Sequence, residues 1–217
     1  CPPTTLVCME NTHNHSGGSV LKPDDMRAIY DLAKSEKLAV HTDGARIFNA
    51  AVALNIDVKK LARYSDSVMF CLSKGLSAPV GSIVVGDYDF IEKARKVRKM
   101  LGGGMRQAGV IAAPGIIALE KMIDRLKDDH LNAKLLAEGI SKIRGIEIDL
   151  AQVQTNILMF KVDGLGITAK EFAERLEKKG IKVMSFGSNV RMVTHRGVGR
   201  DDIRYVVDII KEMFPLA

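Results

Sequence analysis

Short apolar runs alternate with amphipathic helical stretches through the first half of the chain, and this alternation constrains the fold more than any other feature. Residues 5–9, 38–42 and 67–72 are apolar at nearly consecutive positions, as strands buried on both faces are. Between the first two runs, residues from about Pro23 to Glu36 have helical spacing. Pro23 suits a first helical turn, where its missing N–H costs nothing, and Asp24 and Asp25 favour the positive end of the helix dipole. Helical segments over 47–63 separate the second and third runs. Strand–helix–strand repetition of this kind builds a mostly parallel sheet covered by helices. A further strand is expected over 81–86 and a helix over 87–100.

From 107 to 143 the helical pattern persists, interrupted by Pro114 and Gly139, as in a connector between two bodies. Beyond it, strands at 146–149, 157–162, 181–185 and 190–194 alternate with helices over 168–179 and onward to Phe214. We therefore expect an α/β chain in two parts. Residues 1–115 form the later part of a large domain, and residues 116–217 form a connector helix and a small α+β domain.

The 217 residues are 47% hydrophobic and 27% charged, a balance that excludes disordered and collagen-like classes. No apolar run approaches the ~20 residues of a membrane span and no signal-like segment opens the chain, so a cytoplasmic protein without a membrane partner is expected. Cys1, Cys8 and Cys71 are odd in number and lack metal-type spacing, which argues against a disulfide framework. Asn14-His15-Ser16 matches a glycosylation acceptor by chance. The net charge of +6 is mostly interspersed along helices. The dense basic run 92–106 sets its charges opposite Ile91, Ala94, Val97 and Leu101, as on a solvated face. With 5% aromatic residues and no Trp, few platforms exist for stacking on bases, and no nucleic-acid partner is expected. The chain opens on Cys1 rather than Met, and residues 4–9 already read as a mid-domain strand, so a piece of a longer polypeptide is expected.

Lys74 stands just past the third apolar run in "CLSKGLSAPVGS" (71–82), and "HTDGAR" (41–46) sets Asp43 and Arg46 just past the second. Ligands of open α/β sheets gather at the carboxyl ends of strands. A lysine delivered there by a buried strand suits a Schiff base, because desolvation frees the amine lone pair. An acid nearby suits the pyridinium nitrogen of pyridoxal phosphate. Taken singly, Lys74 also reads as a snorkelling surface amine and Asp43 as a helix N-cap before Ile47. His13, His15, His41 and Cys71 could be drawn as a zinc set, but their spacing matches no closed site, and no metal is expected. His130 and His195 read as surface residues.

"ENTHN" (10–14), "HTDGARIFNA" (41–50), "CLSKGLSAPVGS" (71–82), "RKMLGGGMRQAG" (98–109) and "VRMVTH" (190–195) together resemble the low-specificity L-threonine aldolases, which are fold-type-I pyridoxal-phosphate enzymes. The resemblance runs through essentially the whole chain. It covers only the later part of such an enzyme: the family's first third, with a phosphate-binding turn and a ring-stacking histidine, has no counterpart here. It implies a transferase-like large domain that binds pyridoxal 5'-phosphate, with Lys74 forming the Schiff base and Asp43 keeping the pyridine nitrogen protonated. It sets Arg46 near the cofactor's phenolic oxygen and the substrate carboxylate, Arg191 on that carboxylate, and Arg106 on a cofactor phosphate of its own or a neighbouring subunit. From pattern alone Arg191 equally reads as part of an exposed strand face and Arg106 as a solvated helix end. Asn11 and Thr12 either touch the cofactor ring or cap a turn, Ser73 borders the cofactor beside Lys74, and His41 helps hold Asp43.

The activity implied is cleavage of threonine or allo-threonine, small amino-acid substrates, to glycine and an aldehyde. The implied assembly is a homo-oligomer, a dimer or tetramer, with sites near subunit interfaces. The alternatives are another fold-type-I lyase or a racemase, or an inactive fragment acting as a basic binding module.

Overall fold

The computed structural model describes residues 2–215, so Cys1 lies outside the described residues. The chain forms two compact units, the first comprising residues up to Thr12 together with Val20–Arg125, the second His13–Ser19 together with residues from Leu126 onward.

In the first unit, strands β1 (Leu6–Glu10), β2 (Ala39–Asp43) and β3 (Ser67–Cys71) run parallel, and β4 (Ser82–Gly86) returns antiparallel beside β3, giving the order β1-β2-β3-β4. The reversal has a simple cause, since the connection 72–81 is too short for a crossover helix. Helix α1 (Pro23–Ser35) opens on Pro23, with Asp25 accepting the Lys22 N–H at 3.1 Å. It turns Met26 and Ala33 into a core with Met9, Val40, Ile47, Leu61 and Val68. The expected helical stretch 47–63 is two helices, α2 (Ile47–Leu54) and α3 (Lys59–Ala62), because Asn55 ends α2 in the left-handed region at φ 52°. Asp66 ties β2 to the entry of β3, accepting the Val40 N–H at 2.7 Å and the Lys34 ammonium at 2.5 Å. Helix α4 (Tyr88–Met100), capped by Asp87 on the Phe90 N–H, buries nothing within this unit, and every residue of β4 is exposed.

The continuous helical pattern over 107–143 divides into α5 (Gly109–Lys121) and α6 (Leu126–Ile140). Neither expected interruption ends a helix. Pro114 lies within α5, and Gly139 lies within α6 because a Cβ there would meet Val207 Cγ2 at 2.5 Å. Gly139 therefore permits close packing against α8 (Arg200–Met213).

In the second unit β5 (Ile157–Lys161), β6 (Met184–Phe186) and β7 (Asn189–Val193) form an antiparallel sheet of order β5-β7-β6. The strand expected at 146–149 is reduced to a single bridge between Glu147 and Lys161. Helix α7 (Ala169–Glu177) opens with a reciprocal cap, in which Thr168 Oγ1 accepts the Glu171 N–H at 3.2 Å and Glu171 Oε2 accepts the Thr168 N–H at 2.8 Å. Phe172 closes the core, edge-on to Phe160 at 5.8 Å and stacked on Phe214 at 5.7 Å. Among the described residues no helix is long and apolar enough to cross a membrane.

Candidate cofactor and substrate site

Because β1, β2 and β3 are parallel and in register, with Glu10 beside Asp43 and Asp43 beside Met69, their carboxyl ends deliver three turns to one edge of the sheet. Those turns carry Asn11 and Thr12, Asp43 with Arg46, and Ser73 with Lys74. Asp43 and Arg46 owe their positions to Gly44 between them. Its N–H donates to Met69 O at 2.8 Å, and a Cβ there would meet that same oxygen at 2.8 Å, so only glycine lets the chain pass β3 so closely. Asp43 Oδ1 accepts the Ala45 N–H at 3.0 Å, which fixes the carboxylate's orientation through one oxygen. Arg46 occupies the N-cap position of α2 and is half-buried.

The turn bearing Lys74 is held by its backbone. Leu72 N–H donates to Gly81 O at 2.9 Å, Ala78 N–H to Leu72 O at 3.0 Å and Ser77 N–H to Lys74 O at 2.9 Å. Leu72 and Leu76 take the buried positions, while Ser73 and Lys74 are exposed. The desolvation that the sequence suggested for Lys74 is thus not supplied by these residues. His41 is half-buried with Nδ1 2.8 Å from Ser67 Oγ across the β2–β3 pair, so its ring is engaged with Ser67 and not with the Asp43 carboxylate. Asn11 is fully buried. Its amide donates to Leu21 O at 3.0 Å and accepts the Leu21 N–H at 3.3 Å, so it braces the chain that leads into α1. Beside it, Thr12 is 2% exposed and its Oγ1 has no hydrogen-bond partner among the described residues. Arg106 lies exposed in the glycine-rich segment after α4, among the exposed Met100, Leu101 and Met105.

An orphaned buried hydroxyl marks a place where a polar group is wanted. With an amine, an oriented acid and a guanidinium presented at the same sheet edge, the donor set of the first unit fits pyridoxal phosphate. Among the described residues no group of three or more His, Cys, Asp or Glu could hold a metal ion.

In the second unit, Arg191 on β7 is half-buried. Its Nη2 donates to Asn14 Oδ1 at 2.8 Å, its Nη1 lies 3.9 Å from Met184 Sδ, and its buried Nε has no partner among the described residues. Burial lowers its pKa from the ordinary guanidinium value, yet no ion pair neutralises it among the described residues. A half-buried guanidinium of this kind can receive a carboxylate.

His130, expected at the surface, is only 7% exposed on α6, and its pKa is lowered to about 4 by burial and then by Lys134. Its neighbours show what that helix does: Asp129 O accepts the Thr194 hydroxyl at 2.6 Å and Asn132 donates to Val198 O at 2.9 Å. Position in an amphipathic pattern was the available signal, since Leu126, Ala133, Leu136 and Ala137 share the buried face with His130.

A family model described as beta-eliminating lyase matches residues 1–163. The chain is similar to low-specificity L-threonine aldolase 1 of Arabidopsis thaliana, 44% identical over 213 residues covering 97% of this chain and 60% of that protein. It is also similar to the low specificity L-threonine aldolase of Escherichia coli (strain K12), 40% identical over 203 residues covering 94% of this chain and 58% of that protein. The chain thus spans about three fifths of the length of these relatives. Among solved structures, a Leishmania major threonine aldolase superposes with a TM-score of 0.77 at 17% identity, covering 97% of this chain and 61% of that one. A pyridoxal-phosphate-dependent aminotransferase of Streptococcus suis superposes with a TM-score of 0.74 at 15% identity, covering 99% and 59%. The α/β fold expected from the sequence is the one these structures share.

Proposed function

This chain belongs to the beta-eliminating lyase family, and we propose that the protein it forms part of is a pyridoxal-phosphate-dependent aldehyde-lyase that cleaves threonine or allo-threonine to glycine and acetaldehyde. The observation that carries the reading is the delivery of Thr12, Asp43, Arg46 and Lys74 to the carboxyl ends of three adjacent parallel strands. The relatives named as threonine aldolases support the choice of reaction.

Lys74 supplies the amine that holds the cofactor, on a turn fixed by three backbone hydrogen bonds. Asp43, oriented by the Ala45 N–H, keeps a carboxylate oxygen for the proton on the cofactor's ring nitrogen. The cofactor, when bound, supplies the electron sink for the pair released from the Cα–Cβ bond. Arg46 and Arg191 bind the substrate carboxylate, which orients the bond to be broken. Ser73 borders the cofactor beside Lys74, the Thr12 hydroxyl offers it a polar contact, and Arg106 binds a phosphate. Asn11 and His41 serve by bracing the turn after β1 and the β2–β3 pair. Atoms balance without an added reactant: threonine loses its hydroxyl proton to form the aldehyde, and Cα takes up a proton to form glycine.

We also read the protein as a cytoplasmic homo-oligomer, a dimer or tetramer. The exposed Met100, Leu101 and Met105 around Arg106 support an interface near that loop. The test is product analysis on the intact polypeptide. Equal amounts of glycine and acetaldehyde from threonine, without ammonia, support the proposal. Release of ammonia and a 2-oxo acid would assign a β-elimination instead.

A further inference from the structure

The segment His13–Ser19 precedes the first helix in sequence but belongs to the second compact unit. Its two ends are tied to each other, and one of them is tied to the body of that unit. His13 and Ser19 form an antiparallel bridge, with His13 N–H donating to Ser19 O at 2.9 Å. The fully buried Thr155 donates its hydroxyl to Gly18 O at 2.8 Å, and a Cβ on Gly18 would stand 2.5 Å from that hydroxyl oxygen. Between the fastenings, His15 meets the ring of Phe186 edge-on at 4.8 Å, with His13 Nδ1 2.6 Å from Ser16 Oγ. The segment is therefore held against β6 and β5, the two strands that flank β7. At this place Asn14 presents Oδ1 to Arg191 Nη2 at 2.8 Å.

The acceptor's chemical type is the informative point. A buried arginine is most often paired with a carboxylate, which orients it and cancels its charge together. An asparagine has the same shape and the same acceptor oxygen but no charge. It therefore orients the guanidinium without cancelling its charge, and apart from the long contact of Nη1 with Met184 Sδ the remaining donors are left open, as the unpartnered Nε shows among the described residues.

We propose that Asn14 is a positioning residue, whose neutral amide oxygen orients Arg191 without neutralising it and so reserves the guanidinium for the carboxylate of an amino-acid ligand. The inference rests on Arg191 binding the substrate carboxylate. It explains why an early segment of the chain is built into the second unit, and it makes a substitution that preserves shape more harmful than one that removes the side chain.

The experiment compares wild type, Asn14→Asp, Asn14→Ala and Arg191→Ala in the intact polypeptide. Glycine affinity is read by titration calorimetry, KM and kcat for threonine by turnover, and melting temperature by circular dichroism. Asn14→Asp supplies a competing carboxylate in the same place, so glycine affinity should fall and KM rise by about tenfold or more, with kcat changed far less and the melting temperature kept or raised. Asn14→Ala should weaken binding by only about two- to fivefold, the loss of one orienting hydrogen bond. Asn14→Asp binding glycine within about twofold of wild type, or Asn14→Ala binding more weakly than Asn14→Asp, would overturn the proposal. If Asn14→Asp does not fold, Asn14→Ala decides: affinity equal to wild type, or as low as that of Arg191→Ala, also overturns it. Unchanged affinity in Arg191→Ala removes the carboxylate role of Arg191, and the inference falls with it. Weakened affinity there alongside an unaffected Asn14→Asp removes the inference alone.

Discussion

Replacing Gly44 with alanine should damage the site out of proportion to the single methyl added. The added Cβ would lie 2.8 Å from Met69 O, 3.0 Å from Ile47 Cβ and 3.2 Å from Val68 Cγ1. Two of these neighbours are main chain of β3 and the first carbon of α2, so no flexible side chain can swing away. Relief requires β2 and α2 to move from β3 by roughly half an ångström, lengthening the 2.8 Å hydrogen bond from Gly44 to Met69, at a cost of about 1–3 kcal/mol for an overpacked contact. Asp43 and Arg46 flank the substituted residue and move with it, whereas Lys74 follows β3. Misplacement approaching ~1 Å at reacting groups costs up to about 10²-fold in rate. Urea unfolding and threonine cleavage by the intact Gly44→Ala polypeptide measure both effects. We expect a stability loss of about 1–3 kcal/mol with kcat reduced about 10- to 100-fold. A loss under about 0.5 kcal/mol with unchanged kcat would refute the claim that Gly44 sets the geometry.

Asp43→Asn should lower turnover by more than about tenfold, or roughly 1.4 kcal/mol of barrier, while cofactor affinity falls less, because an amide does not stabilise a protonated ring nitrogen. Activity within about tenfold of wild type, read by initial rates, would remove that role. Stability should fall with acidification below about pH 6.5 and continue falling toward pH 4. His130 stays neutral in the native state down to about pH 4 whereas the unfolded chain binds a proton near 6.5, so the unfolded state takes up more protons across that window. Denaturant midpoints against pH for wild type and His130→Gln measure the effect, and a slope unaltered by the substitution would contradict it. In the opposite direction to burial, which raises it, the hydrogen bonds from Lys34 and the Val40 N–H hold Asp66 below the usual carboxylate pKa. Asp66→Asn should therefore remove some of the stability that wild type has above the carboxylate range, and equal midpoints at neutral pH would show the brace to be idle.

The parallel core was legible because apolar runs and helical spacing are local signals, and the paired "HTDGAR" and "CLSKGL" segments announced the turns beyond β2 and β3. The structure sets Asp43, Arg46, Ser73 and Lys74 at those strand ends, where the segments led us to expect them. Features set by distant partners were not. Gly139 reads as a helix breaker until Val207 is seen against it, and residues 146–149 have strand composition but only one bridging partner, Lys161. His130 looks like any surface histidine until the packing of α6 buries it. Asn11 was read as a residue for a ring or a turn, and its amide is spent on Leu21 at both ends. Nothing local could show that Asn14 meets Arg191, since that pairing depends on His13–Ser19 folding with the second unit.

Everything proposed for the site turns on Lys74 being the amine that holds pyridoxal phosphate. Borohydride reduction of the intact protein with bound cofactor, followed by proteolysis and mass spectrometry of the peptides, tests it most directly. A pyridoxyl adduct is expected on the peptide containing Lys74 and is lost in Lys74→Ala. A stoichiometric adduct on another lysine, Lys22 or Lys99 for example, with Lys74 unmodified, would contradict it.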